Sequence, residues 1–507
     1  MRKGSVETRT ARVVLVTTLS TALSVLLQLV SVPLCLRFWG NETYGLWLAL
    51  FALFNVLRTL DTGFTAYVGN QLNLLYHQDQ AALRRTLASA VSGAVVVGGL
   101  QLVAGGAILA GGALAALLGV PEGAVRQGQA GLALVLLLAG WIPIGPYLGV
   151  VHRLLIPAGM LYESTWWLMG VQITQTAALV ASAVLQLSIT GAALLFSATQ
   201  FGIYVASALY VARKLPHFVP WWKDPSWSAG VGDFWRSTVM IGANFLVQGG
   251  TNGLVMLVSS GLGAAAVPGF TTVRTLANLW TTLGNVLTSP LLPEVVRYHA
   301  QGDGGKLRTA YEAHLVIATT AVNASILATF PFLDTLYRHW TGGRVALDES
   351  LLCWLLLSIA VGTPGALIVQ YLTGINELRA VTLIFTARGL LPLALGFALL
   401  PSLGLAGIGV ALVVGEFIGP LCLGVLLFRR RLARLGIRSR APTGLPMTLG
   451  TLSVALFLVM RATSAPHAQA LHGAAVAGVL GSAVWGWSRV DAEVRERALR
   501  LLRRRTV

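Results

Sequence analysis

Apolar runs of bilayer length follow one another along nearly the whole of this chain, and no soluble fold can bury them all. A membrane-spanning helix needs about 20 predominantly apolar residues. Such runs, separated by polar, proline or glycine-rich breaks, lie near 13–36, 44–68, 86–110, 130–151, 164–185, 189–211, 237–260, 265–291, 311–333, 350–372, 380–400, 404–428, 445–461 and 470–488. They predict an all-α polytopic membrane protein of about 14 spans. A composition that is 55% hydrophobic and 11% charged agrees with this. The glycine-rich third run leaves room for an interfacial turn before Pro121.

The net charge of +17 would suit nucleic acid only on a soluble basic face, and no soluble domain is legible, so no nucleic-acid partner is expected. The charge reads instead as topology. With the N-terminus placed in the cytoplasm, inside loops hold 28 Lys and Arg, whereas outside loops hold five: Arg37, Arg126, Arg338, Arg344 and Arg461. The positive-inside rule then sets both termini in the cytoplasm. "MRKGSVETRTARVVLVTTLS" begins like a signal peptide, but its apolar stretch runs to about residue 36 without a small-residue cleavage site, so it is kept as the first span. "RRRLARLGIRSR" at 429–440 and the C-terminal "RERALRLLRRR" would lie on anionic membrane lipids, at about 1 kcal/mol per cation, or would serve as plain topology anchors. Cys35, Cys353 and Cys422 lie in or beside apolar runs and read as small buried hydrophobes.

The chain also repeats itself. When Gly45 is aligned with Gly269, Asp61 meets Asn285, Asp79 meets Asp303, and "LRRT" from Leu83 meets "LRTA" from Leu307 without a gap. The expected organisation is therefore two pseudo-symmetric six-helix lobes, 1–212 and 213–440, followed by two appended spans and a basic tail in 441–507.

Polar residues inside the spans fall at helical spacing. The second span carries Asn55, Arg58, Thr62 and Thr65, with Asp61 three residues after Arg58, where a salt bridge can form. The eighth carries Thr271, Arg274, Thr275, Asn278, Thr282, Asn285 and Ser289; the first carries Thr17, Thr21, Ser24, Gln28 and Ser31; the seventh carries Asn244, Gln248 and Asn252. Unpaired polar groups cost several kcal/mol in hydrocarbon, so these faces must meet protein or water. Hydrogen-bonded glue between helices is one reading, at about 0.6 kcal/mol per contact. The arginines suggest another, because a fixed guanidinium lining a cavity invites an anion such as phosphate. Arg388 and Glu416 sit at comparable depth on the eleventh and twelfth spans and form either a structural ion pair or a protonatable coupling site at Glu416. Pro364 with Gly365, and Pro268 with Gly269, are candidate hinges or packing features.

Enzymatic chemistry finds no support in the sequence. "GDGGKLR" lacks Walker spacing and the following Ser or Thr, the histidines show no metal-ligand spacing, and the longest outside loop, 334–350, is short for holding a substrate. No cofactor is expected.

The phrases "FWGNETYGLW", "LDTGFTAYVGNQL" and "HQDQAALRRTL" resemble the signature near the start of Wzx-type polysaccharide flippases. These belong, with multidrug extruders and lipid II flippases, to the multidrug/oligosaccharidyl-lipid/polysaccharide exporter superfamily. The resemblance covers residues 10–90, continues as topology over 237–430, and does not extend as motif to the last two spans. It implies two six-span lobes around a V-shaped cavity lined by spans 1, 2, 7 and 8, working by alternating access in the bacterial inner membrane. The implied substrate is an undecaprenyl-diphosphate-linked oligosaccharide for exopolysaccharide, lipopolysaccharide or O-antigen synthesis, with polysaccharide polymerase and chain-length machinery as partners. Arg58 and Arg274, which resemble the cavity arginines of lipid II flippases by span and orientation, would hold the diphosphate. Asn55, Asn278, Asn285, Asn244, Gln248 and Gln28 would meet sugar hydroxyls. A lipid II flippase or a drug/cation antiporter of the same superfamily is the alternative, and an antiporter would be expected to use an acidic, aromatic cavity. Coupling to protons, sodium or the membrane potential stays open, since Asp61 and Glu416 each have an arginine in reach.

Overall fold

The computed structural model describes residues 4–120, 125–288, 298–299, 301–375, 377–434, 444–464 and 470–490. Ser289 and the basic stretches beyond 434 and 490 lie outside them, as does Pro121. Among the described residues the chain is helical throughout, without strands. Eleven segments have the length and hydropathy of a membrane span.

One of these joins two expected spans. The run Gly4–Leu57 is two helices meeting at Gly40, whose φ of 70° and ψ of −179° belong to glycine's permitted region and break the helix. We therefore label residues 4–39 α1 and 41–75 α2, the latter interrupted at Arg58 and resuming as Thr59–Leu75. Then come α3 (Gln80–Ala110), α4 (Val125–Trp141, continued by Gly145–Arg153), α5 (Leu161–Val184), α6 (Ile189–Lys214) and α7 (Trp227–Leu262). They are followed by α8 (Val267–Thr288), α9 (Gly304–Thr329), α10 (Glu349–Gly374), α11 (Leu378–Leu403), α12 (405–434), α13 (Gly444–Ala462) and α14 (Ala470–Arg489). With α8 and α14, which fall outside the eleven, the set matches the fourteen runs.

Helix starts differ from the hydropathy reading for a physical reason. Asp79 accepts a hydrogen bond from Ala82 N at 2.8 Å, and Asp303 accepts one from Lys306 N at 3.0 Å. Each aspartate caps a polar first turn, so α3 and α9 begin six or seven residues before their apolar runs. The two caps stand at positions equated by the sequence repeat. The Lys306 ammonium also bonds Asp303, and these contacts hold its carboxyl below the usual carboxylate range. This contribution is present at neutral pH and is lost as pH falls through the lowered pKa. Asp79→Ala is expected to cost about 1 kcal/mol, measured by unfolding the purified protein in micelles.

Packing divides the chain into two compact units: Met1–Pro268 with Trp340–Val345, and Gly269–His339 with Ala346–Val507. The sequence boundary after 212 marks where a repeat should start; by packing, α7 joins the first unit through α2 and α3. Lipid supplies no hydrophobic drive between helices, so close approach depends on small residues. A Cβ at Gly63 would lie 2.5 Å from Ile241 Cα, and one at Gly230 would lie 2.2 Å from Ser89 O. Ser92 Oγ donates to Ser226 O across the same seam. Around this contact, the core of unit 1 is built from Leu50, Phe54, Leu137, Trp141 and Phe196 at one end and Phe64, Leu72, Leu87, Val151 and Phe218 at the other.

In unit 2, Ile368, Tyr371, Ile384 and Phe428 pack α10, α11 and α12 together. There α12 changes to a π-helix over Phe417–Leu423, at Pro420, which lacks the N–H needed for the α-helical ladder. α13 and α14 pack on each other and on α9.

Candidate substrate and coupling sites

In unit 1 the interruption of α2 presents Arg58, Asp61 and Thr65 to the interior. The Arg58 guanidinium lies 3.6 Å from the centroid of Trp141 and 5.4 Å from that of Phe54. Asp61, only 4% exposed, accepts a 3.1 Å hydrogen bond from Gln101 Nε2. The expected Arg58–Asp61 salt bridge is not formed: the cation is spent on an aromatic face and the carboxylate on a neutral amide, although the two charges sense each other. Nor is the predicted stripe one face, since Thr65 is buried and Thr62 exposed.

Gln101 was not singled out by sequence reasoning, yet it is the sole carboxamide in the run 86–110, which was a usable signal. Trp141 gave none. Tyr204 packs edge-on to Trp141 at 5.2 Å, and Gln200, one turn earlier on α6, is buried with neither amide atom hydrogen-bonded among the described residues. Gln101→Leu would leave the Asp61 carboxylate buried without its amide donor; it is expected to destabilise unit 1 by about 1–3 kcal/mol, read by denaturant titration in micelles.

Three further predicted groups in this unit bond within their own helix, two of them to each other. Gln248 Oε1 accepts from Thr251 Oγ1 at 3.2 Å and also from Asn252, bridging the π-helical turn Gly249–Gly253 of α7. Asn244 donates to Met240 O at 2.9 Å. On α1, Gln28 is exposed, while Ser24 donates to Gln172 of α5 at 3.2 Å, an instance of the glue reading. Asn55 is half-buried, and its carbonyl accepts from Thr59.

Unit 2 keeps its stripe intact. Phe270, Val273, Leu276, Ala277 and Trp280 turn α8's apolar face into the core. Thr271, Arg274, Thr275, Asn278, Thr282 and Asn285 all remain half-buried or exposed on the other face. Asn285 accepts from Gln370 Nε2 at 3.4 Å, and the Arg274 guanidinium lies 5.7 Å from the Phe270 ring centroid. Arg388 Nε donates to Glu416 Oε1 at 2.6 Å, the structural ion pair among the sequence alternatives. Gly362 makes room for it, because a Cβ there would stand 2.7 Å from Glu416 Oε2. Arg274 and Arg388 feel each other's charge. The candidate hinge at Pro364 and Gly365 lies where α10 meets the π-helical turn: a Cβ on Gly365 would be 2.5 Å from the Pro420 backbone. Of the cysteines, Cys35 and Cys353 are buried as expected, but Cys422, on the π-helical turn, is exposed.

The architecture is that of an all-helical polytopic membrane protein. Solved structures with the same fold include a multidrug resistance MATE family transporter of the MOP superfamily. In its inward-facing conformation that transporter is 18% identical over 82% of this chain and 96% of its own, with a TM-score of 0.64. An outward-facing structure of such a transporter gives 19% identity, 84% and 96% coverage, and a TM-score of 0.53. A MATE structure in the bent conformation gives 16%, 84% and 96%, and 0.55. No protein-family model matches the chain, and no curated protein does.

Proposed function

We propose that this protein is a flippase that moves undecaprenyl-diphosphate-linked oligosaccharide from the cytoplasmic to the outer leaflet of the bacterial inner membrane, by alternating access and without covalent chemistry. The observation that carries the reading is Arg274, held on the polar, half-buried face of α8 among amides and hydroxyls and close enough to Arg388 to sense its charge. A planar guanidinium fork matches the paired oxygens of a diphosphate. Asn278 and Asn285 would meet sugar hydroxyls, as would Asn244, Gln248, Asn55 and Gln28. Arg58, stacked on Trp141, acts in this reading mainly by positioning α2, and Asp61 and Glu416 are the carboxylates available for coupling. The arginine distribution supports cytoplasmic termini, and the basic segments would rest on anionic lipids.

A drug/cation antiporter is the second reading, favoured by the multidrug MATE structures that share the fold. Deleting the gene separates the two. Accumulation of lipid-linked repeat units on the inner leaflet, reversed by the intact gene, is the expected result. Unchanged lipid-linked pools together with increased sensitivity to cationic dyes would favour the antiporter.

A further inference from the structure

Unit 2 holds a cavity of about 340 Å³ where α9, α10, α13 and α14 pack together, within the range of small-molecule sites. Its walls fix its depth. Phe330 follows the last residue of α9, Glu349 opens α10, Arg461 lies next to the end of α13, and His472 sits in the first turn of α14. Membrane spans end at the headgroup level, and the arginine distribution puts these ends on the outside. Phe330, Leu352 and Phe457 supply apolar walls, beside an ion pair in which Arg461 Nη2 donates to Glu349 Oε1. Both charged side chains stay reachable, Glu349 at 45% exposure and Arg461 at 26%.

We propose that this cavity binds the headgroup of an outer-leaflet phospholipid that carries both a primary ammonium and a phosphate, whatever the protein translocates. The ion pair uses one oxygen of Glu349 and one nitrogen of Arg461, which leaves Oε2 to accept and Nη1 to donate. His472 Nε2 lies 2.9 Å from Leu327 O; a carbonyl only accepts, so Nε2 carries the proton and the neutral ring keeps Nδ1 as an acceptor. An ammonium therefore finds two acceptors, and a phosphate oxygen finds Arg461. A lone anion would meet the carboxylates of Glu349 and Asp334, the latter already held through both oxygens by Arg338. A lone cation would meet the Arg461 guanidinium, 5.6 Å from the Phe330 centroid. Only a ligand of both signs answers both walls. Its tails have a place as well: Leu445, Leu449, Leu452 and Leu456 are exposed at helical spacing, an apolar stripe on the helix that carries Phe457 and Arg461. A polar site at the end of such a stripe suits an amphiphile rather than a soluble zwitterion.

The test is native mass spectrometry of the full chain in micelles, titrated with phosphatidylethanolamine, phosphatidylcholine and phosphatidylglycerol of one acyl composition. Phosphatidylethanolamine is expected to bind about tenfold tighter than phosphatidylcholine, whose quaternary ammonium has no N–H to donate, the ratio for one lost charge-assisted hydrogen bond. Two variants should erase that preference. Glu349→Gln combined with Arg461→Gln removes both charges while the two side chains can still bond each other. Leu347→Trp fills the cavity from the loop before α10 and leaves every charge in place. Melting temperatures identify the variants that keep the fold. Equal binding of the ethanolamine and choline lipids by the wild type, or an undiminished preference in either folded variant, would overturn the inference. Tighter binding of phosphatidylglycerol that is lost in Arg461→Gln would overturn it in favour of an anionic headgroup. Free phosphoethanolamine binding as tightly as the lipid would overturn it in favour of a soluble zwitterion.

Discussion

Arg274→Ala is expected to slow translocation of undecaprenyl-diphosphate-linked oligosaccharide in proteoliposomes by about 10- to 100-fold, the equivalent of about 1.5–3 kcal/mol for a charge-assisted hydrogen bond. The protein should still fold, since Arg274 lies on the accessible side of α8 while Val273, Leu276 and Ala277 make its core contacts. Arg274→Lys restores the charge without the planar fork and should recover only part of the rate. Full activity of the alanine variant at wild-type abundance would remove Arg274 from the mechanism.

The largest expected loss of stability comes from Gly119→Ala. Gly119 has a φ of 60°, and a Cβ built on it would lie 1.9 Å from Ser259 O, closer than any real contact. Ser259 in turn donates to Leu118 O at 2.8 Å, fixing the α3–α4 connection against the end of α7. Left-handed strain alone costs roughly 1–3 kcal/mol, and here the backbone of α7 must also move. Gly112→Ala is the matched control, with a φ of 67° but nothing within 4 Å of its Cβ, so it should suffer the strain alone. Equal melting temperatures for the two variants in micelles would refute the close-approach argument.

Much of this molecule is legible from its residues because the bilayer leaves so few options. Apolar runs fix the helices, and the stripe on α8 emerges as read because its apolar residues at 273, 276, 277 and 280 leave the polar ones no place in the core. The α2 stripe was misleading for a local reason. At Arg58 the helix is interrupted, so residues downstream no longer continue the face set by Asn55, and helical spacing carried across the break gives the wrong neighbours. Partner choice was also hidden: Asp61 binds Gln101 and Arg58 covers Trp141, and nothing in a linear sequence announces that α3 and α4 approach α2 at that depth. The Arg388–Glu416 pair was readable because two opposite charges at comparable depth on neighbouring spans had to find partners in lipid.

Among the described residues four spans give up their regular ladder: α2 at Arg58, α4 between Trp141 and Gly145, α7 over Gly249–Gly253 and α12 over Phe417–Leu423. An ordinary helix resists flexing because each turn is tied to the next by its own amide bonds. Where those ties are already rearranged, a change of angle strips away little that was not lost at folding. Such rods behave as jointed levers, and deuterium uptake at these joints should outpace that of the unbroken turns on either side.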